Sequence, residues 1–132
     1  MVCSYCQSDT QVINSRHQKR ANQVWRRRKC NSCHAIFTTI ERIEATQAYR
    51  VLHKGLMRPF SRELLLISVY ESLKHRTNPA MDAADLTNTI VSLLFQAAEA
   101  SVLTREQIVE ITAAVLERFD TVAAVHYRAF HS

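Results

Sequence analysis

Residues 23–41 read QVWRRRKCNSCHAIFTTIE and contain the features that decide the fold. A basic, strand-like run leads into the pair Cys30-x-x-Cys33, and an apolar strand-like run, residues 35–40, follows it. A second pair, Cys3-x-x-Cys6, lies upstream, with 23 residues between the two pairs. Short strands bracketed by two Cys-x-x-Cys pairs predict a small β-domain of the zinc-ribbon type.

The cysteine pairs predict one structural Zn²⁺ per chain. Zinc prefers a tetrahedron of four thiolates, and a Cys-x-x-Cys turn aims two thiolates at one point. The predicted ligands are Cys3, Cys6, Cys30 and Cys33. Two disulfides or four unrelated buried cysteines are the alternatives, but disulfides need an oxidising compartment and the N-terminus shows no signal peptide. His17 and His34 are spare donors, and His34 is expected at the surface.

The positive charge is concentrated at one end of the chain. Of 132 residues, 17 are Lys or Arg and 12 are Asp or Glu, and the net charge of +5 lies within residues 1–46, whereas residues 47–132 are neutral overall. A basic segment joined to a neutral one predicts an anionic partner. Since guanidinium groups match phosphates and guanine edges, we predict a double-stranded DNA interface. Its predicted residues are Arg16, Arg26, Arg27, Arg28 and Lys29.

The run of arginines also has a plainer interpretation, that of a solvated charged face. Alternate residues of a strand share a face, so Trp25 and Arg27 are expected on one side of the sheet. Arg26 and Arg28 are then expected on the other side.

The overall prediction is an α+β fold with two domains, a four-cysteine zinc ribbon over residues 1–46 and a mainly helical domain over residues 47–132. The only glycine, Gly55, lies between two short strand-like runs and predicts a hairpin. Four helices are expected, over about 62–75 and 83–100, from Thr104, and from Asp120, with Ser61, Asp82, Thr104 and Asp120 as N-terminal caps. No apolar run is long enough for a membrane span.

These residues also resemble the NrdR family of bacterial transcriptional repressors. The similarity is densest in the ribbon and extends over nearly the whole chain. Its motifs are Cys3-x-x-Cys6, Asp9-Thr10-x-Val12-Ile13-x-Ser15-Arg16, Val24-x-Arg26-Arg27-Arg28-x-Cys30-x-x-Cys33 and Phe37-Thr38-Thr39-x-Glu41. The resemblance implies a ribbon that binds operator boxes upstream of ribonucleotide reductase genes. It implies that residues 47–132 form an ATP-cone, a small nucleotide-sensing domain.

The resemblance further implies ATP or dATP as effectors that change the oligomer and thereby DNA binding. The expected nucleotide-binding residues are Val51, His53, Lys54, Gly55 and Arg58. His53 stands where the family has a lysine, so binding is expected to strengthen as pH falls through the histidine range. The alternative is a divergent regulator of other genes whose second domain only oligomerises.

The predicted assembly is a homo-oligomer formed through residues 47–132, because three apolar runs exceed what one small core requires. These runs are Leu64–Leu66, Ile90–Phe95 and Val122–Phe130. A small ribbon reads few base pairs, so specificity requires at least two copies on one DNA. The protein is expected to act in the cytoplasm, at the nucleoid, and not as an enzyme, because neither an open metal site nor a phosphate-cradling glycine-rich loop is present in the sequence. A protein-docking ribbon is a further alternative, which the arginines disfavour.

Overall fold

The computed structural model describes residues 1–131 and has two compact units. The ribbon unit spans Met1–Ile43, and the helical unit begins at Glu44. The ribbon unit contains β1 (Thr10–Gln18), β2 (Gln23–Cys30) and β3 (Ile36–Glu41). The helical unit contains α1 (Ala45–Ala48), β4 (Arg50–His53), β5 (Leu56–Pro59), α2 (Arg62–Ser72), α3 (Pro79–Ala97), β6 (Val102–Thr104), α4 (Arg105–Phe119) and α5 (Thr121–His131). The predicted α+β class is confirmed.

The ribbon unit is one antiparallel sheet with β2 in the centre. β1 pairs with β2 from Thr10↔Cys30 to Gln18↔Gln23, with a bulge between Val12 and Asn14. β3 closes the other side of β2. The side chains of Cys3, Cys30 and Gln23 are the only buried ones in this unit. So small a core does not stabilise a domain of this length alone, and a metal or disulfide is needed.

The helical unit has a second three-stranded sheet in the order β5-β4-β6. The predicted hairpin joins β4 to β5, and its two turn residues, Lys54 and Gly55, have φ angles of 50° and 74°. Two consecutive residues with positive φ give the turn whose twist matches a tight hairpin. β6 was not predicted, and it pairs with β4 in parallel.

Three of the predicted helix caps are observed. Ser61 Oγ accepts a hydrogen bond from the Leu64 amide, Thr104 forms a capping box with Gln107, and Asp120 Oδ1 accepts from the Ala123 amide. The prediction for Asp82 is wrong. α3 begins earlier, at Pro79, because proline is favoured in the first turn of a helix, and Asp82 lies inside that turn.

The helical unit is built around one apolar core, which α2, α3, α4 and α5 surround. Buried side chains from these helices, from β6 and from the connecting segments fill it, and Tyr49 stacks on Phe95 with ring centroids 3.7 Å apart. The largest buried members are Phe60, Leu73, Ile90, Leu94, Leu103, Leu116 and Tyr127. Within residues 1–131, none of the helices is both long and apolar enough to cross a membrane.

Asp120 joins the start of α5 to the segment between α2 and α3, and this contact predicts an acid sensitivity. Its carboxylate lies 2.9 Å from both His75 Nε2 and Arg76 Nη1. The His75 hydrogen bond, then the Ala123 amide and Arg76, hold the pKa of Asp120 well below its ordinary value of 3.8. The stabilisation is therefore present above about pH 4 and is lost as pH falls below it.

We expect Asp120→Asn to flatten the dependence of the unfolding free energy on pH below about pH 4, because asparagine keeps the cap but not the charge. Denaturant unfolding across acid pH measures this slope. Asp85→Asn is the control, since the Asp85 carboxylate has no ion pair among residues 1–131. Identical slopes for wild type and Asp120→Asn would contradict the assignment.

Candidate metal centre and nucleic-acid interface

The four cysteines form one cluster in the ribbon unit. Their Sγ atoms all lie within 4.8 Å of one another. Cys3 Sγ is 3.7 Å from Cys33 Sγ, and Cys6 Sγ is 3.4 Å from Cys30 Sγ. A disulfide bond measures about 2.05 Å, so the thiols are free. Four sulfurs at Zn–S distances of about 2.3 Å in a tetrahedron stand about 3.8 Å apart, and this cluster therefore fits a structural zinc.

Backbone amides in both cysteine turns face the sulfurs. The Tyr5 amide donates to Cys3 Sγ at 3.3 Å, and the Ser32 and Cys33 amides donate to Cys30 Sγ at 3.3 and 3.4 Å. The residue after each pair, Gln7 or His34, has a positive φ angle. The two turns thus repeat one geometry that favours thiolate charge.

The thiols of this cluster ionise unequally. Hydrogen bonds from Ser8, and then from Cys30, lower the pKa of Cys6 to about 6. The pKa of Cys33 rises to about 12, since the Ala35 amide lowers it but desolvation and the neighbouring thiols raise it more. A dication bound by all four sulfurs must displace these protons, so metal affinity is expected to fall as pH falls.

The central strand β2 presents its arginines on two different faces. Arg26 donates to Ser15 Oγ at 3.1 Å and lies 3.7 Å from the Glu41 carboxylate. Arg28 donates to Thr10 Oγ1 at 3.2 Å. Both side chains on this face are therefore held within the sheet.

The opposite face carries Arg27, with Trp25 beside it. Asn14 lies opposite Arg27 and Arg16 lies opposite Trp25, and with Thr38 these five residues line a concave surface of about 320 Å³. Among residues 1–131, the guanidinium groups of Arg16 and Arg27 have neither an ion pair nor a hydrogen bond. Lys29 shares this face, opposite Gln11 and Ile36.

The helical unit contains a cavity of about 570 Å³ between the β4–β5 hairpin and the first turns of α2 and α4. Val51, His53, Lys54 and Arg58 line it, whereas Gly55 does not and lies only in the turn. Its lining residues include four that carry or can carry positive charge and no Asp or Glu. Its volume is within the range of about 300–1,000 Å³ that small-molecule sites occupy.

Sequence reasoning missed Arg105 at this cavity and Asn14 and Thr38 in the ribbon unit. Arg105 is the first residue of α4 and directly follows the capping residue Thr104. The sequence shows this place in the helix, but it does not show that the start of α4 lies beside the hairpin and its cavity. Thr38 is paired with Arg27 and therefore lies on the Arg27 face. Alternation of the side chains along β3 is a sequence signal that could have indicated this.

Comparison with known proteins gives matches over nearly the whole chain. The family described as "Transcriptional repressor NrdR-like, N-terminal domain" matches residues 1–41. Transcriptional repressor NrdR of Janthinobacterium sp. (strain Marseille) is 34% identical over 134 residues, covering 99% of this chain and 84% of that protein. The Rhodospirillum centenum protein of the same name is 35% identical over 132 residues, covering 99% of this chain and 85% of the relative.

Proposed function

Because the chain belongs to the NrdR family of transcriptional repressors, we propose that its ribbon reads an operator and that residues 47–132 sense nucleotide and assemble copies. As a member of this family the chain is a repressor with a zinc ribbon, and it is not an enzyme. DNA is the partner that repression implies. The observation that carries the proposal is the four-thiol cluster at the end of a basic central strand.

The metal ligands are proposed to be Cys3, Cys6, Cys30 and Cys33, holding one Zn²⁺ per chain. Four protein sulfurs close the coordination sphere, so the metal stabilises the sheet and performs no chemistry on a substrate. The proposed DNA contacts come from Arg16, Arg26, Arg27, Arg28 and Lys29. We propose residues 46 and 47 as the boundary between the DNA-binding and the nucleotide-sensing domain, three residues beyond the point where the structure divides into two units.

The proposed nucleotide site is the cavity beside the hairpin. Phosphates are proposed to lie near His53, Lys54 and Arg58, with Arg105 as a further cation, because all four side chains line the cavity. Ser61, the N-terminal cap of α2, also lines the cavity, and helix N-termini favour phosphate groups. Leu64 and Ile108 supply apolar surface for a base. Adenine nucleotides, ATP or dATP, are the proposed effectors.

Electrophoretic shift assays on the protein's own genomic upstream regions, with and without ATP and dATP, test this function. We expect the DNA to shift, and we expect the protein concentration that shifts half of it to change when nucleotide is added. Lys54→Ala should lower nucleotide affinity about tenfold or more, since a hydrogen bond to a charged group contributes about 1.5–3 kcal/mol. His53→Lys should strengthen binding at both pH 8 and pH 6, because lysine carries its charge at both values and its side chain reaches further.

Lys74→Ala is the matched control, because Lys74 is an exposed lysine paired with Glu71 away from the cavity, and such pairs contribute little. If calorimetry finds no ATP or dATP binding at either pH while DNA still shifts, the second unit only oligomerises and the sensing part of the proposal fails. If no upstream region shifts, the operator-binding part fails.

A further inference from the structure

The two faces of the ribbon sheet differ in how their basic side chains are held. Arg26 and Arg28 donate hydrogen bonds to hydroxyl groups of β1, and Glu41 offsets the charge of Arg26. On the other face, Arg16 and Arg27 have no such partner among residues 1–131. The acids of the ribbon unit are Asp9 and Glu41, and neither lies on the Arg27 face of the paired strands. The Arg27 face therefore has no acidic residue to offset its guanidinium groups, whereas the Arg26 face has one.

The β-bulge in β1 creates this arrangement. It removes one residue, Ile13, from the alternation between Val12 and Asn14. As a result Asn14 is paired with Arg27 and Arg16 with Trp25, so that both polar side chains join the Arg27 face. In a regular ladder Ile13 would be paired with Arg27, which would place an aliphatic side chain there. Bulges commonly re-aim side chains at functional sites.

Trp25 lies in the centre of this face and is 42% exposed. Its indole Nε1 donates to Gln23 Oε1 at 3.3 Å, and Gln23 is itself buried, so the ring is held while much of its surface remains in solvent. Ile40, its partner on β3, is 51% exposed. An oriented aromatic ring beside two guanidinium groups that have no partner among residues 1–131 suits an anionic partner that also offers an apolar group.

We propose that the face of Trp25, Arg16 and Arg27, which we term the reading face, lies in the DNA major groove, with Trp25 reading a thymine methyl. The inference rests on the proposed operator binding and assigns its residues unequal roles. Arg16 and Arg27 make the main phosphate contacts, whereas Arg26 and Arg28, whose guanidinium groups also bond within the sheet, contribute less to the DNA contact. The thymine methyl is the apolar group that the major groove presents. The outer strands of a three-stranded sheet stand about 10 Å apart, and the groove is about 12 Å wide.

The test measures affinity for two duplexes of equal length, one selected by the wild-type protein from a random pool and one of unrelated sequence, over a range of salt concentrations. Trp25→Ala should reduce the ratio of the two affinities about tenfold or more, as expected for a lost base contact, with an unchanged salt slope. Arg16→Ala/Arg27→Ala should reduce the slope by about two units, about 0.9 for each phosphate. Arg26→Ala/Arg28→Ala should reduce it by less than half as much.

Zinc content and thermal unfolding establish that each variant is folded. Replacing thymine by uracil in the selected duplex should weaken the wild type but not Trp25→Ala. Three results would each overturn the reading face. They are an equal uracil effect on the wild type and Trp25→Ala, an unchanged affinity ratio in Trp25→Ala, and a larger loss of salt slope in Arg26→Ala/Arg28→Ala than in Arg16→Ala/Arg27→Ala. If variants of neither face change DNA affinity, the ribbon does not contact DNA, and the proposed function fails with it.

Discussion

Cys30→Ser is expected to unfold the ribbon unit and to abolish operator binding. Cys30 is fully buried at the end of β2, and its sulfur accepts amide hydrogen bonds from Ser32 and Cys33. Structural zinc contributes about 10–16 kcal/mol to small zinc domains, far more than the ribbon's three buried side chains can replace. The zinc content, measured by metal analysis, should fall from near one zinc per chain to near zero. Helical circular dichroism should be largely kept, because the helical unit has its own core.

Ser32→Ala is the matched control within the same turn. It changes a side chain that is not one of the four cysteine ligands, and it keeps the Ser32 amide that donates to Cys30 Sγ. It should retain zinc and DNA affinity. A Cys30→Ser protein that keeps one tightly bound zinc and wild-type DNA affinity would show that another residue completes the site. The exposed His34, next to Cys33, is the nearest candidate in sequence.

The ribbon was predictable because its chemistry depends on local spacing. Two Cys-x-x-Cys pairs imply the cluster, and alternation in residues 23–28 implies two faces. The bulge at Ile13 was not predictable, because one extra residue in a polar strand leaves no periodic signal. Nor does the sequence show that Glu41 and Ser15 engage Arg26, since that depends on the register of three strands.

In the helical unit, the capping motifs and the Gly55 hairpin were predictable from the sequence, whereas the pairing of strands far apart in the chain was not. β6 has three residues and pairs with β4, about fifty residues away, so neither its length nor its composition marks it. The sequence does contain a signal for the start of α3, since Asn78-Pro79 is a common helix beginning. The Asp82 carboxylate, expected as a cap, instead pairs with Arg76 at 2.9 Å.

Val122→Asp/Val125→Asp is expected to separate the protein into monomers and to lower operator affinity about a hundredfold or more. These side chains are 61% and 66% exposed on one face of α5, while Ala123, Ala124 and Tyr127 on the other face are buried. The substitutions should leave the core intact, since neither valine belongs to it. Two ribbons linked in one assembly gain about 10²–10⁴ in affinity over single ribbons, and a monomer loses this gain.

Thr77→Asp/Ala80→Asp provides the matched control, because it adds the same two negative charges at exposed positions at the start of α3, where acids are favoured by the helix dipole. It should leave both the oligomer and DNA affinity unchanged, which separates loss of assembly from simple repulsion between the protein and DNA. Light scattering measures the oligomer, and titration of the operator measures affinity. Should the valine variant remain oligomeric, the assembly surface lies elsewhere on the chain. Should it become monomeric yet bind DNA as tightly as wild type, a single ribbon suffices for operator recognition.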